Sequence, residues 1–224
     1  MLFQDRIDAG KKLATELEEY ANRDDVMVLA LPRGGVPVAF QVAKALNAPL
    51  GLFLVRKLGV PGHEEYAMGA IASGGVRVLN EEVVEQLRIP QEAVERVVAR
   101  EQQELERREH TYRGNEAPPD VNGRTVILVD DGLATGATMR AAVTALRQQN
   151  PKQVVVAVPT ASPETCDEFR DEVDDIVCAV TPRPFFGVGQ WYVNFSQTRD
   201  EEVQDLLERA EKELPDLPRK ERET

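Results

Sequence analysis

Apolar positions along the chain alternate between short continuous runs and longer stripes of helical period. Val126-Ile127-Leu128-Val129 is a run of four β-formers, as expected of a strand buried on both faces of a parallel sheet. A small-residue loop follows, and then Met139, Ala142, Val143 and Leu146 fall at i, i+3, i+4 and i+7, the apolar stripe of an amphipathic helix. The same alternation recurs. Ile7, Leu13, Leu17 and Tyr20 mark a first helix, ended by the turn-prone residues 22–25, and residues 26–31 read as a strand. Pro37 suits a first helical turn; Val36, Ala39, Phe40, Ala43 and Leu46 make its stripe, Asn47 and Pro49 close it, and residues 50–55 read as the next strand. Residues 68–72 and 76–79 are two short strands about a Gly74-Gly75 hairpin turn. Residues 81–113 form a charged helix whose inner face is traced by Val94, Val97, Val98, Glu101 and Leu105; its Glu92/Arg96 and Glu104/Arg108 pairs mark a solvated face rather than a binding surface. Pro118-Pro119-Asp120 and Asn122-Gly123 punctuate the return to residues 125–129, with further strands at 154–158 and 176–180. A last stripe runs through Val203, Leu206, Leu207, Ala210 and Leu214, and the polar, proline-punctuated residues 215–224 are expected to fray. Strands alternating with helices predict an α/β fold, a mainly parallel sheet flanked by helices. There is no internal repeat.

At 224 residues and 42% apolar content the chain suits one well-buried domain, taken as 1–214. Its 27 Lys+Arg against 39 Asp+Glu give a net charge of −12, which argues against a general affinity for nucleic acid or anionic membranes. Cys166 and Cys178 are too few and too loosely spaced for a disulfide framework or a zinc motif, so both are expected as plain thiols in a reducing cytoplasm. The first twenty residues lack the apolar core of a signal peptide and no run approaches a membrane span, so a soluble cytoplasmic protein is expected.

The chemistry concentrates in residues 126–138, VILVDDGLATGAT. Gly132, Ala134, Gly136 and Ala137 keep side chains clear, so backbone N–H groups can approach an anion at a helix N-terminus, and Thr135 and Thr138 add hydroxyl donors. Asp130 and Asp131 leave the strand into the crevice where open α/β sheets hold ligands; read alone, they also fit a pair of turn or N-cap carboxylates. Known nucleotide motifs fail. Ala137 stands where a P-loop needs lysine, and Gly187-Val188-Gly189 lacks the third glycine of a dinucleotide fingerprint, Tyr192 occupying that place. A receiver-domain reading fails as well, because Asp174 and Asp175 precede their strand and the Gly/Thr loop would be unexplained.

The thirteen-residue stretch resembles the 5-phosphoribosyl-1-pyrophosphate (PRPP) motif of type I phosphoribosyltransferases, and the chain is similar to bacterial and archaeal members of unassigned substrate. The resemblance implies that Asp130 and Asp131 engage the ribose hydroxyls and that Ala134, Thr135, Gly136, Ala137 and Thr138 grip the 5′-phosphate. Ala30-Leu31-Pro32-Arg33-Gly34-Gly35 sits where the family places its pyrophosphate loop, assigning Arg33, Gly34 and Gly35 to the diphosphate. Arg56-Lys57, followed by Gly59, Pro61 and Gly62, resembles the mobile loop that brings a basic residue to the leaving group. The aromatic stretch 185–195 is similar in place to the variable hood over the acceptor, which residues 181–200 and the N-terminal segment would form around a core of about 26–180; Phe186, Trp191 or Tyr192 would face the acceptor, the alternative being a small aromatic satellite core. Enzymes for 6-oxopurines carry aspartate where this chain has Ala134, so hypoxanthine and guanine become disfavoured acceptors.

The implied activity is transfer of the phosphoribosyl group from PRPP to a nitrogenous acceptor with release of pyrophosphate, Mg²⁺ being held mainly by substrate oxygens without a dedicated protein cage. The other class of reading is a non-catalytic regulator that senses PRPP or nucleotides on the same fold. Oligomeric state is not legible in the residues; the resemblance implies a homodimer.

Overall fold

The computed structural model describes residues 2–114 and 116–220. Its main sheet is parallel, in the order β2 (Leu50–Leu52), β1 (Val26–Ala30), β6 (Thr125–Val129), β7 (Gln153–Thr160), β8 (Asp175–Val180). Every residue of β1 and β6 is buried, which is why both read as unbroken apolar runs. Alternate side chains feed two cores. On one face Val28, Ala30 and Ile127 pack with α1 (Arg6–Thr15), α2 (Gly35–Leu46) and α7 (Asp200–Glu213); on the other Leu29, Val126 and Leu128 pack with α5 (Ala137–Arg147) and α6 (Pro163–Phe169). After β1 the chain crosses to one face and after β6 to the other. The crevice between their C-terminal ends is therefore a topological switch point. The pairing of Ala30 with Val129 sets residues 31–35 beside residues 130–136 there.

A second, antiparallel sheet follows the order β3 (Val55–Val60), β4 (His63–Ala72), β5 (Val76–Leu79), with Gly74 and Gly75 at positive φ in the expected hairpin. The strand expected over residues 50–55 is divided, because β2 ends at Leu52, Phe53 N–H bonds the Ala30 carbonyl, and the chain passes into the other sheet. Arg56 and Lys57, expected on a loop, consequently lie on β3, paired with Ile71 and Ala70, and the turn is left to Pro61-Gly62.

The helix expected over residues 81–113 is two, α3 (Glu81–Gln86) and α4 (Gln91–Arg113), parted by Arg88 at φ 49° and by Pro90, which has no N–H to continue a helix and serves as the N-cap of α4. The tail does not fray as far as residue 220. Leu217 packs against the core and over Gly51, while Asp120 N–H bonds the Pro218 carbonyl and Lys220 N–H bonds that of Pro118. Residues 221–224 lie outside the described residues. Cys166 and Cys178 are not free thiols: α6 and β8 bring them together and they are bonded to one another, since spacing along a chain does not set separation in space. Among the described residues no helix is long and apolar enough to cross a membrane.

Candidate active site

The loop after β1 and the loop after β6 meet without intervening side chains. A Cβ on Gly34 would lie 2.0 Å from Asp131 Oδ2, and one on Gly35 would lie 2.6 Å from the Val129 carbonyl and 3.0 Å from Asp130 Cα. Only glycine permits that approach, and it places the Arg33–Gly35 segment directly against the acidic pair. A cavity of about 620 Å³ opens at this junction, and Arg33, Gly34, Arg56, Lys57, Asp130 and Thr138 all line it. Three segments singled out in the sequence, 30–35, 56–62 and 126–138, thus share one cleft.

Asp130 accepts from the N–H of Asp131 at 2.8 Å. Burial, and then the neighbouring Asp131 carboxylate, push its carboxyl well above the usual carboxylate range. Burial also raises Asp131, opposed by the Arg6 guanidinium 2.8 Å away. Two adjacent carboxyls whose protons are held unequally can present both an acceptor and a donor to sugar hydroxyls.

The phosphate-type loop is braced from outside. Thr165 Oγ1 donates to the Ala134 carbonyl and Arg140 Nη1 to that of Thr135, each at 2.8 Å. With those carbonyls engaged, and the first N–H groups of α5 lacking intrahelical partners, the loop retains the donors an anion needs. Gly136 sits at φ 72°, and the Phe169 ring lies 2.6 Å from where its Cβ would be, so both backbone and packing require glycine. Ala134, Thr135 and Thr138 are exposed, while Gly136 is buried and Ala137 half-buried at the start of α5.

Basic groups ring the other end of the cleft, all of them held. Arg56 pairs with Glu101 of α4 at 2.6 Å and Lys57 with Glu65 at 3.2 Å. Arg33 has the looser arrangement, 3.6 Å from Asp200, whose carboxylate also accepts from the Tyr112 hydroxyl. Burial, and then that bond, push the Tyr112 phenol up to about 12. Contrary to the expectation for residues 81–113, α4 is part of the site, because Arg100, Glu101 and Arg108 line the cavity. The buried Glu101 within an apolar stripe was the sequence signal for it.

The aromatic stretch divides. Phe186 is 79% exposed and Trp191 stacks on Phe185 with ring centroids 6.5 Å apart. Tyr192 is buried against Phe3 and Phe195 and donates its hydroxyl to the Asp131 carbonyl at 2.6 Å. It belongs to a satellite core and is not free to face an acceptor. Arg6, Tyr112, Thr165 and Asp200 are residues at the site that no local pattern marked, and Arg108, read as part of a solvated face, lines the cavity.

A parallel sheet with two loops meeting at its switch point is an α/β ligand-binding architecture. The profile of the phosphoribosyl transferase domain matches residues 3–190, and the chain belongs to that family. A relative from Mycobacterium tuberculosis H37Rv, Rv0571c, provisionally named a phosphoribosyl transferase, is 46% identical over 213 residues, 95% of this chain and 48% of its own length; the chain spans about half the length of the curated relatives it matches in this way. The crystal structure of TT1426 from Thermus thermophilus is 41% identical, with a TM-score of 0.81 over 92% of this chain and 98% of that one. A shorter match, 37% over 65 residues, covers 29% of this chain and 31% of a uracil phosphoribosyltransferase from Kineococcus radiotolerans.

Proposed function

We propose that the protein transfers the phosphoribosyl group of PRPP to a small nitrogenous acceptor and releases pyrophosphate. The observation that supports this reading is the close approach of Gly34 and Gly35 to Asp131 and Asp130, beside the cleft that Gly34 and Asp130 line; it would set a diphosphate loop against sugar-binding carboxylates. In the reaction the bond from C1′ to the pyrophosphate oxygen breaks with its electron pair leaving on oxygen, the acceptor nitrogen forms the new bond to C1′, and its proton passes to solvent. Positive charge develops on the ribose, so Asp130 and Asp131 would stabilise the transition state while the loop amides, Arg33 and the Arg56/Lys57 pair receive the departing charge. The donors at Ala134–Thr138 would fix the 5′-phosphate and thereby the orientation of C1′.

Among the described residues no three His, Cys, Asp or Glu side chains converge as a metal cage. Mg²⁺ would be held mainly by the diphosphate oxygens of the donor, and when bound it would neutralise charge on the leaving group.

The test is a screen of purines, pyrimidines and other nitrogenous acceptors with Mg²⁺-PRPP, read as pyrophosphate release. A folded Asp131→Asn variant is expected to lose on the order of 10²–10³ in rate. Turnover of Asp131→Asn at the wild-type rate would defeat the assignment, and binding of Mg²⁺-PRPP without turnover across the screen would favour the sensing role.

A further inference from the structure

Asp131 is gripped from a direction that neither loop supplies. Arg6, on the first turn of α1, brings Nε and Nη2 to the single oxygen Oδ2 of Asp131, each at 2.8 Å. Its Nη1 donates to the Ser196 carbonyl at 2.7 Å, and its guanidinium carbon lies 4.1 Å from the centroid of the Phe195 ring. From the other side the Tyr192 hydroxyl holds the Asp131 carbonyl. The two segments involved are joined by backbone bonds: Phe3 N–H to Trp191, Val193 N–H to Phe3 and Asn194 N–H to Gln4. The Arg6 and Asp131 side chains are 12% and 16% exposed.

We propose that Arg6 is the positioning residue of Asp131, and that the N-terminal segment and residues 191–196 form a clamp fixing one oxygen and the charge of that carboxylate. The sugar-contacting role of Asp131 is the reading on which this rests. Three observations make the clamp more than a stabilising ion pair. The guanidinium spends its fork on Asp131 and its remaining amino group on Ser196, so its action on a ligand passes through Asp131. Gly34 packs against the same point, where an added Cβ would meet Asp131 Oδ2 and lie 3.3 Å from Arg6 Nε, so the proposed diphosphate loop, the carboxylate and the guanidinium converge there. Finally, carboxylate charge facing a polyanionic donor would repel it in a chain of net charge −12, and Arg6 cancels that of Asp131 where the donor binds. A lysine has one ammonium in place of the fork, so it supplies the charge without the second bond.

The test compares wild type, Arg6→Gln and Arg6→Lys as full chains. Arg6→Gln is expected to lower kcat/KM for Mg²⁺-PRPP by about 10- to 100-fold, the range seen when the outer partner of an orienting group is removed, with part of the loss recovered in Arg6→Lys. The acid limb of its pH profile should move to higher pH, since the effect of burial on Asp131 is no longer opposed. A purely structural role would lower the melting temperature and leave the profile where it was, which overturns the proposal. A carboxyl-carbon NMR titration checks the clamp without turnover: Asp131 should titrate at higher pH in Arg6→Gln, and an unchanged titration refutes it. If that shift appears while wild type releases pyrophosphate with no acceptor, the clamp stands and the assigned reaction fails.

Discussion

Gly34→Ala separates the chemistry of the cleft from its stability. Gly34 has φ −61° and ψ −32°, values any residue adopts, so the backbone carries no objection to alanine. The added methyl would lie 2.0 Å from Asp131 Oδ2, and the carboxylate must retreat by about 1.4 Å to restore ordinary contact; displacement of a reacting group by about 1 Å is worth on the order of 10² in rate. The retreat also lengthens the Arg6 bonds, and a charge-assisted hydrogen bond contributes about 1.5–3 kcal/mol. Against this, alanine at a compatible glycine position recovers about 0.4–1 kcal/mol from the unfolded state. The net expectation is a destabilisation of about 1–2 kcal/mol with a roughly hundredfold loss of PRPP turnover. Gly35→Ala is the comparison, because its methyl meets backbone at Val129 and Asp130 and lies 3.3 Å from Asp130 Oδ1, so overpacking costs about 1–3 kcal/mol and falls on Asp130 rather than on Asp131. Urea unfolding gives the stabilities and pyrophosphate release gives the rates. If Gly34→Ala keeps its rate within threefold while remaining folded, the close approach has no functional meaning and the reasoning fails.

Asp130→Asn is expected to be more stable than wild type at pH 7 and slower by on the order of 10²–10³. Because the folded carboxyl titrates above its unfolded value, its contribution to stability is fully present below the unfolded pKa and lost as pH rises through the folded one. The gain in melting temperature should therefore vanish as the pH is lowered toward 4, and a gain independent of pH would contradict it. Glu104, held at about 2 by Arg107 and Arg108, contributes stability that is present above its unfolded pKa and lost as the pH falls through the folded one; in its solvent-screened setting Glu104→Gln should cost no more than about 1 kcal/mol at neutral pH, with the difference narrowing in acid. Native protein should titrate no free thiol, and reduction should lower stability by about 2–3 kcal/mol, the loop closed by Cys166 and Cys178 being short. Two titratable thiols in the unreduced native protein would refute the pairing.

Elements whose cause is local were legible in the sequence. The buried runs of β1 and β6, the stripe of α5 and the Gly74-Gly75 turn depend on neighbours within a few residues, and the structure has each of them. The placing of Arg33-Gly34 beside Asp130-Asp131 needed a motif at the end of each of two strands and a rule of sheet topology, and those sufficed. What escaped was set by contacts between distant segments. Arg6 lies 125 residues from the carboxylate it holds, Asp200 meets Arg33 from the opposite end of the chain, and nothing in an ordinary amphipathic helix announces either. Arg56 and Lys57 read as loop because Gly59, Pro61 and Gly62 follow them, yet pairing with β4 makes them strand. Leu217 looked like one apolar residue in a polar tail until its place over Gly51 gave it a partner.

The seam between residues 3–4 and 191–194 has a consequence for biosynthesis. The chain emerges N-terminus first, so both strands of the cleft, with the loops that follow them, are made while Arg6 still has no Ser196 and Asp131 no Tyr192. A nascent chain ending before residue 191 would carry the acidic pair unclamped, and the clamp would close only when residues 191–196 paired with residues 3–4.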